Sequence, residues 1–287
     1  MGAERISHLL PFKQPLVNEI KVQPHWHTEI SDAFSTPEES VEFARGKVNI
    51  LVITDHDFTE GALRALEYAQ EKEYINLSNR AKDHFEVVVG QEVTTLEGHM
   101  IGLYLNSTVV CGMTAEETAL EIKKQGGLVV IPHPDSNRES GIKYDAIDSL
   151  DRSNLVDAVE TVNGGQESLA LLTTIPLIKK LRRQVGSYNT NSAAQGKYYS
   201  TETNYAALGG HDGHLDSPES MLKVVTVFEE GVSFRTAIEN KLTGPRTKSE
   251  PEIWNAKTLL LQNLKSKNLE KRRQSGDGII CVSKYYE

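Results

Sequence analysis

The sequence is poor in several features that would each mark a specialised class of protein. Only two of its 287 residues are cysteine, Cys111 and Cys281, and they lie far apart, so a disulfide framework is not expected. No apolar run reaches the length of a membrane span, and the first residues lack the basic-then-apolar order of a signal peptide. These absences predict a cytoplasmic protein in a reducing compartment, without a membrane partner.

Positive charge is also scarce. The formal net charge is -9, whereas a general nucleic-acid binder normally presents a basic face. A basic run at residues 265–273 is more typical of a solvated tail than of a nucleic-acid site. The acidic balance does not exclude an anionic substrate, because bound divalent ions would reverse the local field.

The length and the pattern of the chain predict one large domain with two flanking segments. A chain of 287 residues can bury a sizeable core, and no internal repeat divides it. We expect an N-terminal leader at residues 1–19, a catalytic or binding domain at 20–245, and a partly basic C-terminal extension at 246–287. A polar stretch at 187–204 is expected to be an irregular insertion.

Strand and helix patterns alternate along the central domain. Continuous apolar runs such as residues 49–54 and 128–131 are typical of strands that are buried on both faces of a parallel sheet. Thr36 with Glu39, and Thr114 with Glu117, have the spacing of capping boxes at helix starts. This order predicts an α/β barrel of parallel strands, in which chemistry gathers at the C-terminal strand ends.

Those strand ends are rich in histidine and carboxylate residues. His25 and His27 alternate at the end of the first predicted strand, so their imidazoles should point to the same side. Any one histidine is more often structural than a ligand, but six of the nine histidines fall in this set, which chance explains poorly. The candidate metal ligands are His25, His27, Asp32, His56, Glu92, His99, His133, Asp212 and His214.

The number and type of these side chains predict a metal centre with more than one ion. Nine ligands exceed what one tetrahedral ion needs, so we expect two or three divalent ions. Glu92, central in chain order, is the expected bridging carboxylate. Mixed imidazole and carboxylate ligands suit zinc, manganese or iron better than calcium or magnesium. Of the neighbouring residues, Asp55 should orient other groups, Asp57 should cap the next helix, and Trp26 should pack in the core.

Taken in order, these motifs resemble the polymerase-and-histidinol-phosphatase (PHP) family of metal-dependent phosphoesterases. The similarity covers about residues 20–245 and implies a distorted, TIM-like (β/α)7 barrel of seven parallel strands with a trinuclear metal centre. The segments that carry it are His25-Trp26-His27, Ser31-Asp32, Thr54-Asp55-His56-Asp57, 90–94, Gly98-His99, Pro132-His133-Pro134, 160–163 and 210–214.

The resemblance also implies how the ligands divide. His211 and Gly213 stand where the family usually has Ser and Ala, which implies altered substrate contacts. The short link between His99 and His133 leaves no room for the helical subdomain with which some relatives select nucleotides. By position, the ligands of the three ions would be His25, His27, Glu92 and Asp212; Asp32, His56 and His214; and Glu92, His99 and His133.

The function that the resemblance implies is hydrolysis of a phosphate monoester or diester by a metal-activated water. The expected substrate is a small phosphorylated molecule, with nucleotides among the candidates. Two alternatives remain open: metal-dependent hydrolysis of an amide or a cyclic phosphodiester, and a non-catalytic metal-binding regulatory module. The candidate catalytic residues are His214, His211 and Glu92, and the candidate substrate contacts are Arg138, His211 and Asn163.

Overall fold

The computed structural model describes residues 18–77, 80–134, 141–164, 205–212, 214 and 220–247, and the following description concerns these residues. Several predicted features lie outside them: most of the leader, a helix expected at 166–183, the insertion at 187–204 and nearly all of the C-terminal extension. The domain division therefore stays a prediction.

Nine strands form one sheet. Their spatial order is β7-β6-β5-β4-β3-β2-β1-β8-β9, so neighbours in sequence are mostly neighbours in space. The strands are β1 (Glu19–Trp26), β2 (Ile50–Ile53), β3 (Glu86–Thr94), β4 (His99–Leu103), β5 (Leu128–Ile131), β6 (Ala158–Asn163), β7 (Ala206–Gly210), β8 (Val224–Glu229) and β9 (Gly244–Thr247).

The strand directions differ from the sequence expectation at two places. β1, β2 and β3 pair in parallel, as do β5, β6 and β7, but β4 runs antiparallel to both of its neighbours and β8 runs antiparallel to β1. The expectation of parallel strands throughout is therefore wrong for β4 and β8. Only residues 95–98 join β3 to β4, and a parallel crossover needs a dozen or more residues.

The two ends of the sheet approach each other through β7 and β8. The Gly209 amide donates to Thr226 Oγ1 at 2.9 Å. The side chain of Gln23 in β1 reaches both ends, because its Oε1 accepts from the His211 amide at 2.9 Å and its Nε2 donates to the Val224 carbonyl at 3.0 Å. The sheet thus curls into a distorted, nearly closed α/β barrel, which confirms the predicted fold class.

Five described α-helices cover or close this sheet. Both predicted capping boxes are present, at Thr36 with Glu39 and at Thr114 with Glu117. The predicted cap at Asp57 is wrong, because the N-cap of the second helix is Thr59. The helices are α1 (Pro37–Ala44), α2 (Glu60–Glu71), α3 (Ala115–Lys124), α4 (Tyr144–Arg152) and α5 (Phe234–Glu239).

Apolar side chains fill both faces of the sheet. In β2, Leu51 and Ile53 pack with α1 and α2, whereas Ile50 and Val52 belong to a second cluster with residues of the other strands. This alternation explains why the β2 sequence is apolar without interruption. The longest helix in the described part of the chain, α2, has 12 residues, and none there has the length and apolar character to cross a membrane.

Candidate metal centre

All nine predicted ligands are described, and they meet at one edge of the barrel. Four of them form what we call the floor group: His25, His27, Glu92 and Asp212. The Nε2 atoms of His25 and His27 lie 3.1 Å apart, and Glu92 Oε2 lies 3.2 and 3.1 Å from them. Asp212 Oδ1 approaches the same two nitrogens at 3.4 and 3.3 Å.

Three further ligands, Asp32, His56 and His214, form what we call the rim group. Asp32 Oδ1 lies 3.1 Å from His214 Nε2, and Asp32 Oδ2 lies 3.9 Å from His56 Nε2. The group adjoins the floor group, since His27 Nδ1 lies 4.0 Å from Asp32 Oδ1. Asp32 thus lies closer to the rim ligand His214 than to the floor ligand His27.

Glu92 connects the ligand sets. Its Oε2 faces the floor histidines and lies 3.4 Å from His56 Nδ1. Its Oε1 lies 2.9 Å from both His99 Nδ1 and His133 Nε2. One geometric group joins Glu92 and His99 with His56, while the resemblance implied His133 in that place. Both histidines contact Glu92, so the carboxylate has the position expected of a bridge.

Local backbone geometry aims these side chains at one point. β1 carries a register irregularity between Gln23 and Trp26, just before the strand ends. His133 and Asp212 adopt φ angles of 27° and 53°, so the chain turns sharply where β5 and β7 have ended. His99 opens the reversed strand β4, and therefore enters the same edge from a strand start rather than a strand end.

Two polar residues of β6 support the floor group. Glu160 Oε1 lies 3.1 Å from His25 Nδ1, and Glu160 Oε2 accepts from the His133 amide at 2.9 Å. Asn163 Nδ2 donates to Glu160 Oε2 at 2.8 Å and to Asp212 Oδ2 at 3.1 Å. The Asn163 amide group thus contacts two carboxylates of the site. Its predicted role in substrate binding stays a prediction.

Asp55 supports the loop that carries Asp32. Its Oδ1 accepts from the Thr28 amide at 2.7 Å and from Ser31 Oγ at 2.6 Å, and its Oδ2 accepts from Thr28 Oγ1 at 2.7 Å. Burial raises the pKa of Asp55 in spite of these hydrogen bonds. Asp57, the next acid along the chain, accepts from the Thr94 amide at 2.6 Å and so ties the end of β3 to the same region.

His211 and Arg138 were both predicted to act on the substrate. The His211 ring stacks on Trp26 with 5.9 Å between ring centroids, and Trp26 is a fully buried core residue. Burial, with the charge of Lys223 adding to it, lowers the pKa of His211 to about 3. The predicted contact of His211 with substrate stays a prediction. Arg138 lies outside the described residues.

The electrostatics of the two groups differ. Burial disfavours protonation of His27, but hydrogen bonds to Asp212 and Glu92 outweigh it and raise the pKa of His27 to about 10. Burial also disfavours protonation of His25. The charges of Asp212, Glu160 and Glu92 outweigh this effect, so the pKa of His25 lies well above its usual value. At the rim, burial holds the pKa of His56 well below its usual value despite nearby carboxylates. Burial also opposes protonation of His214, but the Asp32 charge outweighs it and raises the pKa of His214, so the difference between the groups lies at His56.

The donor atoms fit metal binding. The Nδ1 atoms of His27 and His56 are buried and make no hydrogen bond to any residue in the described ranges. His56 Nδ1 nevertheless lies 3.4 Å from Glu92 Oε2, close but not aligned for a hydrogen bond, as expected for two atoms that share an ion. Several histidine and carboxylate groups are thus consistent with a multinuclear metal site.

Comparisons with known proteins place this geometry in context. No protein-family model matches the chain. The uncharacterized protein MJ1587 of Methanocaldococcus jannaschii is 36% identical over 110 residues, 38% of this chain and 58% of that protein. The uncharacterized protein MJ0417 of the same organism is 26% identical over 153 residues, 52% of this chain and 55% of that protein. The matches therefore span little more than half the length of either relative.

A structural neighbour is more informative about the fold. It is a crystal structure of a Bacteroides vulgatus protein reported as a "two-domain protein containing predicted PHP-like metal-dependent phosphoesterase", with a TM-score of 0.60 and 18% identity. The likeness covers 92% of this chain and 75% of that one. The resemblance read from the motifs is therefore confirmed at the level of structure: the chain has the distorted α/β barrel fold of the PHP-like metal-dependent phosphoesterases, with buried His, Asp and Glu clusters at one edge.

Proposed function

We propose that the chain is a metal-dependent phosphoric ester hydrolase that acts on a small phosphorylated substrate, with nucleotides among the candidates. The observation that carries the proposal is the position of Glu92. Its two oxygens face different histidines at 2.9–3.4 Å, as a carboxylate that bridges ions would. Two or three divalent ions, held as the floor and rim groups suggest, would match the chemistry of such hydrolases.

Divalent ions at these positions would neutralise phosphate oxygens and make water a stronger nucleophile near neutral pH. A backbone carbonyl of the chain orients one of the ligands. His214 Nδ1 lies 2.9 Å from the Asp212 carbonyl oxygen, which can only accept, so Nδ1 carries the proton and Nε2 presents its lone pair. This favours His214 as a ligand over His214 as the general acid.

The direction from which a substrate would approach follows from exposure. Among the nine ligands, the side chains of His25, His27 and Glu92 are 0–1% exposed, whereas those of Asp212 and His99 are 14% and 17% exposed. A phosphate group would therefore enter on the side of Asp212 and His99. The ionised carboxylates there would repel a bare phosphate, so bound cations are needed to admit it.

The test is metal analysis of protein purified without chelators, followed by a substrate panel on the same sample. We expect two or three equivalents of zinc, manganese or iron, and ester hydrolysis that a chelator abolishes and added metal restores. Glu92→Gln, purified in parallel, should be inactive, and activity that persists there would reveal a contaminant. Turnover of amides or cyclic diesters alone would support the second enzymatic hypothesis. No turnover with any of the three metals would favour a regulatory module.

A further inference from the structure

Two buried carboxylates, Asp55 and Glu160, lie beside the ligand groups without belonging to either. Both are almost fully buried, at 0% and 3% exposure. Each also lies against a glycine: a Cβ on Gly61 would overlap the Asp55 carboxylate, and a Cβ on Gly210 would overlap that of Glu160. Burying a carboxylate is costly, so its partners indicate what it does.

The partners of Asp55 lie in the loop that follows β1. The Asp55 carboxylate accepts three hydrogen bonds, two from Thr28 and one from Ser31, at 2.6–2.7 Å. Asp32 comes next in the chain, and Ser31 Oγ lies 3.5 Å from Asp32 Oδ1. Asp55 therefore fixes the backbone immediately before the rim ligand Asp32.

The partners of Glu160 lie in the floor group and around it. A carboxylate at 3.1 Å from His25 Nδ1 holds a proton on that nitrogen, so Nε2, on the side of Glu92, is the atom that would bind an ion. Glu160 also binds Asn163, whose amide reaches the floor ligand Asp212. It thereby orients one floor ligand directly and a second through Asn163.

We propose that Glu160 and Asp55 are positioning residues for two different metal positions, Glu160 for the floor group and Asp55 for the rim group. This inference rests on the proposed function in one respect, namely that the two groups hold divalent ions. The inference goes beyond the proposed function by assigning a separate supporting carboxylate to each metal position. Removal of one support should then weaken one position and spare the other.

The test is a titration of the metal-free full-length chain with zinc alone, in competition with a chromophoric chelator. Asp55→Asn should weaken one position by about 10- to 100-fold, and Glu160→Gln should weaken another by a similar factor. The matched control is Asp157→Asn. Asp157 lies at the start of β6, at the end of the strand opposite the metal edge, and accepts hydrogen bonds from the Val129 amide and from Lys123. Its variant should therefore bind zinc as the wild type does.

Double variants identify which position each carboxylate supports. His214→Ala removes a rim ligand. In that background Asp55→Asn should cause no further loss of zinc, whereas Glu160→Gln should still weaken the remaining position. The reverse pattern is expected with His25→Ala, where only Asp55→Asn should have an additional effect. A circular dichroism spectrum of each variant checks that the fold is intact.

Several results would overturn the inference. Unchanged zinc binding in Asp55→Asn or Glu160→Gln, or equal weakening of all positions by each variant, would contradict separate supports. If Asp55→Asn does not fold, Ser31→Ala removes a single hydrogen bond to Asp55, and an unaltered rim position there would be decisive against it. Wild-type protein that binds none of zinc, manganese and iron would refute the proposed function as well, so the two failures are distinguishable.

Discussion

The floor and rim groups are built from different parts of the fold. His25 and Glu92 lie within strands, and His27 and Asp212 follow strand ends by one or two residues. Asp32, by contrast, lies in the loop between β1 and α1, and His56 is tied to Glu92 only by an isolated bridge. The sheet therefore fixes the floor ligands, whereas the rim ligands lie in loops that other hydrogen bonds must hold in place.

The electrostatic difference follows the same division. The raised pKa values of His25 and His27 mean that, without metal, the floor balances its carboxylates with protonated imidazoles. The lowered pKa of His56, caused chiefly by burial, leaves this rim ligand neutral and ready to bind. Burial opposes protonation of the other rim histidine, His214, but the Asp32 charge outweighs it and raises the pKa of His214. The comparison teaches that His25, His27 and His214 must lose protons to take up metal, whereas His56 need not.

The largest expected effect removes Glu92, the residue that connects the ligand sets. Glu92→Gln should lower kcat more than about 100-fold, because even partners that only orient ligands typically cost 10- to 100-fold. Turnover and metal content by mass spectrometry are the measurements. Glu86→Gln is the matched control on the same strand, since Glu86 lies at the other end of β3 and pairs with His84 at 3.7 Å. Equal losses in both variants would contradict a special role for Glu92.

A smaller difference should separate one group from the other. His25→Ala is expected to reduce turnover by about 100-fold and to remove floor metal, while His214→Ala should reduce it by about tenfold and remove rim metal only. Steady-state kinetics with matched metal analysis would show this. His84→Ala, a histidine outside the centre, serves as the control. If loss of His214 is as damaging as loss of His25, the two groups do not act as separate units.

The metal-free protein should reveal the floor protons through its pH dependence. The pKa of His27 is about 10 in the folded chain, against 6.5 for an ordinary histidine. A raised folded pKa gives stability that is complete below 6.5 and is lost as the pH rises through 10. Urea unfolding midpoints of chelator-treated protein should therefore fall over that range. His27→Gln should flatten the decline, and an unaltered slope in this variant would exclude His27 as its source.

The smallest effect concerns the hydrogen bond between Asp57 and the Thr94 amide, near the rim group. Asp57→Asn keeps the preference for the left-handed φ of 61° but weakens the bond from the Thr94 amide. We expect a loss of about 0.5–1.5 kcal/mol in the free energy of unfolding, measured in urea, with metal content unchanged. A loss of bound metal instead would show that the hairpin between β3 and β4 belongs functionally to the rim.

The sequence indicated that the nine candidate ligands would lie together, because strand periodicity is a local property. The alternation of His25, Trp26 and His27 places two imidazoles on one side and the indole in the core, whatever the rest of the fold does. The direction of β4 is not local. Its reversal depends on a hairpin of residues 95–98, which the apolar pattern of the strand does not encode.

The polar supports were harder to anticipate. The sequence does not assign a role to Glu160, because its partners His25, His133 and Asn163 lie in β1, just after β5 and at the end of β6. Asp57 was taken for a helix cap from its position, but its positive φ turns the chain and directs the carboxylate to Thr94. Helix α4 followed a segment without a recognised start signal, and indeed its N-cap, Lys143, makes no side-chain capping bond.

β1 supplies both the floor and the core, because Trp26 packs in the apolar cluster between two histidines of the centre. Any ion that binds His25 and His27 therefore also restrains the strand that anchors this cluster. Binding and folding then form a single linked equilibrium, in which each tenfold rise in free metal above the dissociation constant adds about 1.4 kcal/mol to stability. The melting temperature of such a protein would report the metal concentration of its surroundings.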